Sequence, residues 1–509
     1  MKKIFIIAIV LVSISQSFAI VKLPAIFSDN MVLQQDETIR IWGWADPGEK
    51  IEVKLYKQKV STIAKPDSSW QVDFKPVKSG KTYELIVKGN NKLRVKNILA
   101  GEVWVCGGQS NMRWHIENSD GAEEALEYAD YPKIRLFTVK PQASSLLQKD
   151  CKGEWIVVEP NHKELARFSA VGYYFGRQLH RKLGMPVGLI DNSWGGTPVE
   201  AWMSDKAMNS NADFKFYLDQ RDKWVANSDM NREKFEQDKL KLWRVIEKQA
   251  KENGETPPKK PRTPNSLRPQ RYASYLYNGM VYPISNFTIK GAIWYQGESN
   301  SGKPQFYQSM FETMIADWRK AWNHGNFPFY FTQLSWNKTD PIDEPGKSKY
   351  AVIREAQLQS LKIINTGMVV TTDIGEVNNI HPRNKLDVGL RLARWALKND
   401  YGFSDMEISG PIYKSMKIDG DEIIISFDEN TKALKVKHWG LMQIAIAGED
   451  RKFVWANYKI RGNKLVVWSD EIENPIAVRY AWADVPIGAN LYGSNGLPAS
   501  PFRTDKGDE

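Results

Sequence analysis

Four segments of the sequence hold residue types that can move an acyl group. In Gly107-Gly108-Gln109-Ser110-Asn111-Met112 a serine follows two glycines at the end of the apolar run Val103 to Cys106. A serine on a sharp strand-to-helix turn exposes its hydroxyl as a nucleophile and sets its backbone N–H near a helix N-terminus, where an oxyanion can be held. The segment is not the Gly-x-Ser-x-Gly elbow, and alone it reads as readily as a tight turn with a helix cap. In Asn192-Ser193-Trp194-Gly195-Gly196-Thr197-Pro198 two glycines let a backbone N–H approach a substrate oxygen, although a plain Gly-Gly turn has the same composition. Trp294-Tyr295-Gln296-Gly297-Glu298-Ser299-Asn300 gathers amides and a carboxylate beside a glycine, as a hydrogen-bonded loop also would.

The fourth segment, Asp373-Ile374-Gly375-Glu376-Val377-Asn378-Asn379-Ile380-His381-Pro382, supplies a candidate base. A lone histidine more often serves structure than catalysis, so its company decides. His162, His180, His324 and His438 lack nearby carboxylate and turn chemistry of this kind, and His115, five residues after Ser110, is the nearest rival. His381 follows the last apolar run and immediately precedes a helix that Pro382 is expected to open.

These segments need a frame, and the surrounding pattern predicts one. Five short apolar runs, Val103 to Cys106, Val187 to Ile190, Ala292 to Tyr295, Phe327 to Phe331 and Met368 to Thr371, read as buried parallel strands. Between them Phe306/Tyr307, Met310/Phe311, Met314/Ile315, Trp318 and Trp322 recur at helical spacing, as do Leu390, Ala393, Arg394 and Leu397. Alternating strands and helices predict an α/β domain over 98–404 with helices on both faces of a parallel sheet, and such sheets carry their sites at the strands' C-terminal ends. A charged helical insertion over about 204–271, striped by Phe235, Leu242, Trp243, Ile246 and Ala250, interrupts it. It reads either as a lid over the site or as a solvated decoration. Period-two alternation, as in Ile51-Glu52-Val53-Lys54-Leu55 and Ile423-Ile424-Ile425-Ser426-Phe427, predicts small β-sandwich-like domains over 20–97 and 405–509.

Composition bounds the partners. The chain has 509 residues, 42% hydrophobic and 26% charged, which suits several globular domains and excludes a disordered chain. Lys2 and Lys3 precede the apolar run Ile4 to Val12 and a small-residue site ending at Ala19, so residues 1–19 read as a signal peptide of a periplasmic or secreted protein. Losing them lowers the formal charge from +10 to +8. That charge is spread along the chain, against a nucleic-acid partner, and no apolar stretch is long enough to span a membrane. Cys106 and Cys151 suit one disulfide or two buried thiols, without a metal-ligand spacing. Aromatic residues make 12% of the chain, and exposed tryptophans and tyrosines can stack on sugars, although most such rings fill cores.

Taken together and in order, Gly-Gln-Ser-Asn-Met, Trp-Tyr-Gln-Gly-Glu-Ser-Asn and Ile-His-Pro-x-Asn-Lys resemble the sialate O-acetylesterase family, a branch of the SGNH hydrolases. Leu23-Pro24 to Met31-Val32-Leu33-Gln34, Ala477-Val478-Arg479-Tyr480-Ala481-Trp482-Ala483-Asp484 and Gly496 to Arg503 are similar to it as well, so the resemblance spans nearly the whole mature chain. It implies a serine esterase that removes O-acetyl groups from carbohydrates without a cofactor, with Ser110 as nucleophile and His381 as base. The oxyanion hole would comprise the N–H groups of Ser110 and of Gly195 or Gly196, with the Gln296 amide as a further donor. Gln109, Asn111, Arg113, Glu298 and Asn300 would meet substrate. Many relatives carry an orienting Asp three residues before the histidine, where this chain has Asn378; Glu376, Asp373, a backbone carbonyl or a Ser-His dyad then remain open. Sialate and acetylated plant glycans (xylan, xyloglucan or pectin) both remain open as substrates. A non-catalytic carbohydrate-binding protein is the reading from another class, and the presence of both nucleophile and base weighs against it.

Overall fold

The computed structural model describes residues 20–337, 348–438 and 440–505, so the expected signal peptide lies outside the described residues. The central sheet is built from β1 (Lys92–Gly108), β2 (Tyr131–Thr138), β3 (Trp155–Val158), β4 (Val187–Ser193), β5 (Gly291–Tyr295), β6 (Phe329–Thr332) and β7 (Thr366–Val369). Their order is β7-β6-β5-β1-β4-β2-β3, parallel throughout except for the antiparallel edge pair β2/β3. Each of the five apolar runs overlaps one of these strands, with Phe327 and Pro328 preceding β6 and Val370 and Thr371 following β7. β2 escaped the pattern because Pro132, Lys133 and Arg135 interrupt it, and only its second half is buried.

Side chains alternate across β6 to two helical layers. Phe329 and Phe331 pack on Phe311 of α2 (Tyr307–Trp322), while Tyr330 packs on Trp395 of α4 (Lys385–Tyr401). With α1 (Ala170–Leu183) against α4, this is the α/β layering expected, with helices on both faces. β1 also runs back into the N-terminal β region, where its first half pairs with Thr82–Lys88 and Val32–Gln34. Those strands share one continuous apolar core with the central sheet.

The C-terminal region has its own core between two four-stranded antiparallel sheets. It docks on α3 (Lys349–Gln359) through the fully buried Arg354, which donates to the carbonyls of Ala483 (2.6 Å) and Asp484 (3.1 Å), and through a bidentate Arg503–Glu355 pair. The Ala477–Asp484 and Gly496–Arg503 motifs thus fix one region to another. Cys106 and Cys151 are separate buried thiols, and burial pushes Cys151 up to about 12. No described helix is long and apolar enough to cross a membrane.

Candidate active site

β1 ends at Gly108 with φ 134°, where a Cβ would lie 2.2 Å from the Tyr295 carbonyl oxygen, so only glycine lets β1 and β5 close there. A single turn follows, closed by the Arg113 N–H donating to the Gln109 carbonyl at 2.9 Å, instead of the expected helix. The turn lifts Ser110 to the cavity floor. Its Oγ stands 2.8 Å from Nε2 of His381, hydrogen-bond distance for a nucleophile and its base.

His381 lies on a loop that precedes α4. That helix starts at Lys385 behind the Asn384 cap, so Pro382 does not open it as the sequence suggested. None of the three residues considered as orienting groups touches the imidazole. Asp373 is committed to a bidentate pair with Arg391 at 2.7 Å, and Asn378 is exposed with φ 58°. Glu376 acts at one remove. It accepts from the Arg383 N–H (2.5 Å) and from Asn379 Nδ2 (2.8 Å), and Asn379 in turn grips both the N–H and the carbonyl of His381 at 2.9 Å. Burial works to raise the Glu376 carboxyl, but these donors outweigh it and leave it lowered. Among the described residues no group hydrogen-bonds Nδ1 of His381. The ring instead lies parallel to Trp114, with centroids 5.2 Å apart. Burial, followed by the charge of Lys385, lowers His381 to about 4.

Beside Ser110, the loop Ser193 to Thr197 shows its N–H groups because its carbonyls are held from behind. Arg113 Nη1 donates to the Ser193 carbonyl (3.0 Å), Thr197 Oγ1 to that of Trp194 (2.7 Å), Arg271 to that of Gly196, and Gln296 Nε2 to that of Thr197 (3.2 Å). The backbone N–H groups of Ser110, Gly195 and Gly196 donate to no group among the described residues, and all three residues line the cavity. A Cβ at Gly195 would lie 3.4 Å from the Ser110 Cβ, so this loop and the nucleophile adjoin. The expected Gln296 contribution is different from the one observed: its amide, fully buried, is spent on Thr197, Gln109 and Asn300 and sets the loop from inside.

The cavity measures about 770 Å³ and is lined by Ser110 and His381 from the loops around the sheet and by Arg262, Arg268 and Arg271 from the insertion. A family model for carbohydrate esterases, sialic acid-specific acetylesterase, matches residues 100–225 and 265–398. The chain belongs to this family of carbohydrate esterases. Sialate O-acetylesterase of Mus musculus is 28% identical over 98% of this chain and 97% of its own length, and that of Homo sapiens is 28% identical over 93% and 91%. A carbohydrate acetylesterase from Xanthomonas citri superposes with a TM-score of 0.81 at 31% identity, covering 96% of this chain and 100% of its own. The chain is accordingly a carbohydrate O-acetylesterase, a hydrolase of carbohydrate esters.

Of the residues expected to meet substrate, Gln109 and Glu298 line the esterase's cavity. Asn111, Arg113 and Asn300 do not, because each is used behind it. Asn300 accepts from the Val199 N–H and from Gln296 and donates to Glu200, and Arg113 braces the oxyanion-hole loop. The three arginines were not foreseen. They lie at the C-terminal end of the insertion, in a Pro-rich stretch with no chemical spacing to mark them. The segment that the family model passes over, 226–264, falls within this insertion and includes Arg262. Trp114 was also missed, although its place four residues after Ser110 is the one signal it offers.

Proposed function

We propose that the esterase deacetylates a carboxylate-bearing sugar of the sialate kind, with Ser110 and His381 as a catalytic dyad. The observation that carries this reading is the 2.8 Å Ser110–His381 contact in a cavity that three arginines of the insertion also line. Ser110 Oγ attacks the acetyl carbonyl carbon as Nε2 of His381 takes its proton. The carbonyl oxygen becomes an oxyanion held by the N–H groups of Ser110 and Gly195 or Gly196. The bond to the sugar oxygen then breaks, and that oxygen takes the proton back from His381. Water, deprotonated by the same nitrogen, attacks the acetyl-Ser110 ester; the bond from the acetyl carbon to Ser110 Oγ breaks, Oγ takes the proton back from His381, and acetate leaves.

Supporting the acidic substrate, guanidinium groups are the side chains best shaped to receive a carboxylate in two parallel hydrogen bonds. Arg268 Nη1 is buried without a partner among the described residues, and Arg268 Nη2 lies 3.2 Å from the place a Cβ would occupy at Gly196. The test is acetate release from O-acetylated sialic acid and, in parallel, from acetylated xylan and xyloglucan fragments, with Ser110→Ala as blank. Release from sialate alone is expected. Release from the neutral glycans alone would keep the dyad and overturn the substrate.

Export of the chain is proposed on Lys2, Lys3, the Ile4 to Val12 run and the small-residue site at Ala19. The N-terminus of the protein recovered outside the cytoplasm is expected at Ile20; an intact Met1 there would refute it.

A further inference from the structure

Behind the dyad lies a buried lysine that the proposed mechanism does not use. Lys385, the first residue of α4, has no exposed surface, and its Nζ donates to Asn111 Oδ1 at 2.5 Å. The Asn111 amide group donates onward, to Glu298 Oε1 at 2.5 Å and to the Ile380 carbonyl at 3.0 Å. Asn111 adjoins Ser110 and Ile380 adjoins His381, so a single side chain joins the nucleophile turn to the base loop. The same Nζ stands 5.7 Å from the centroid of Trp114 and 5.3 Å from that of Tyr295, and Trp114 is the ring against which His381 is stacked. A buried ammonium is costly unless paired and hydrogen-bonded, so a structural purpose alone would be met more cheaply by an apolar residue.

We propose that Lys385 is a positioning residue of the acyl-transfer site, which through Asn111 and Trp114 fixes His381 relative to Ser110 where no carboxylate orients the imidazole. This rests on the dyad reading above. The charge balance around it fits. His381 meets Ser110 and Trp114 from the turn after β1 and feels the charge of Lys385 from α4; Glu376 and Arg383 pair on its own loop, Glu298 from the loop after β5 bonds to Asn111, and Arg262, Arg268 and Arg271 line the same cavity. Burial lowers Lys385 to about 7, against the pull of Glu298 and Glu376, so it is cationic in the acid range where His381 titrates. There its charge opposes protonation of the base.

The experiment follows the pH dependence of Ser110 labelling by a fluorophosphonate, together with kcat and KM on a small acetyl ester, in wild type, Lys385→Met and Lys385→Met/Glu298→Gln. The double variant removes both buried charges, which guards against misfolding from a carboxylate left alone. In both variants kcat is expected to fall about 10- to 100-fold with KM little changed, the cost of a slightly misplaced base. The acid limb of labelling is expected to move up by about half a pH unit to one. Wild-type protein left unlabelled at Ser110 would refute the dyad itself. Labelling with an unmoved acid limb in a folded variant, whether or not kcat falls, would reduce Lys385 to a structural role and overturn this proposal.

Discussion

The two walls of the cavity are made differently. On the sheet wall, Ser110, Gly195 and Glu298 belong to short contiguous segments at the ends of β1, β4 and β5, and the groups behind them are hydrogen-bonded: Gln296, Asn300, Asn111 and Arg113 each have named partners. On the insertion wall, Arg271 bonds to the Gly196 carbonyl and lies 3.4 Å from Ser299 Oγ, and Arg268 also comes close to Gly196 but leaves its Nη1 without a partner among the described residues. Bond making needs groups held to fractions of an ångström, which buried strand ends supply. Recognition of a charged group tolerates more freedom and can be placed on an inserted segment.

The largest expected effect lies on the sheet wall. Ser110→Ala and His381→Ala should each lower kcat/KM by on the order of 10⁴-fold or more for any acetyl ester, with the folded state intact by thermal melting. Substrate should make no difference, because both residues act on the acetyl group.

Substitution on the other wall should discriminate. Arg268→Ala is expected to cost about 10- to 100-fold in kcat/KM on an acetylated sugar that carries a carboxylate, the worth of a charge-assisted hydrogen bond, and about twofold or less on a neutral acetyl ester. An equal loss on both substrates would place the guanidinium on the oxyanion instead of on the sugar and erase the contrast between the walls.

A smaller effect should follow from the base loop. Asn379→Ala removes the clamp on the His381 backbone while leaving both catalytic groups, so kcat should fall about 10-fold with KM nearly constant. A Glu376→Gln variant keeps one acceptor for the Arg383 N–H and should lose less. The opposite order, measured in parallel on one ester, would mean that the carboxylate charge matters more than the clamp.

The difference between the walls also explains what the sequence could tell. Ser110, Gly195 and Gly196 were legible as candidates because each sits in a short motif at a strand end, and His381 because it stands in a carboxylate- and turn-rich motif before a helix; the buried strands announce themselves as apolar runs. Gln296 and Asn111 were legible as special but misplaced in role, since a motif marks a residue without saying which way its amide points. The arginines of the insertion were invisible, because their significance depends on where a Pro-rich loop lands and not on spacing. The missing Asp before His381 was legible and Glu376 was among the candidates to orient the ring, but its route through Asn379 and the stacking on Trp114, from the distant turn after β1, were not. β2 was lost to its polar start, where Pro132 and Lys133 are exposed, and to Arg135, a charge buried among its apolar residues.

The mildest expected effect concerns pH. Burial first, and Lys385 second, hold His381 at about 4, well below the ordinary imidazole value of 6.5. As a base it must be neutral, so kcat/KM should stay flat as pH falls through 6 and 5 and decline only near 4, provided the protein remains folded. Stability should turn earlier. Between 6.5 and about 4 the unfolded chain binds a proton at this histidine that the folded chain does not, so this group withdraws stability as pH falls through that window and contributes no change above it. Thermal melting of wild type and His381→Ala across pH 7 to 4 checks the sign, since the variant should lose less stability on acidification. An acid limb near 6.5 would mean that the cavity leaves His381 solvated, and the sheet wall would then lack the dry, fixed setting that separates it from the arginine wall.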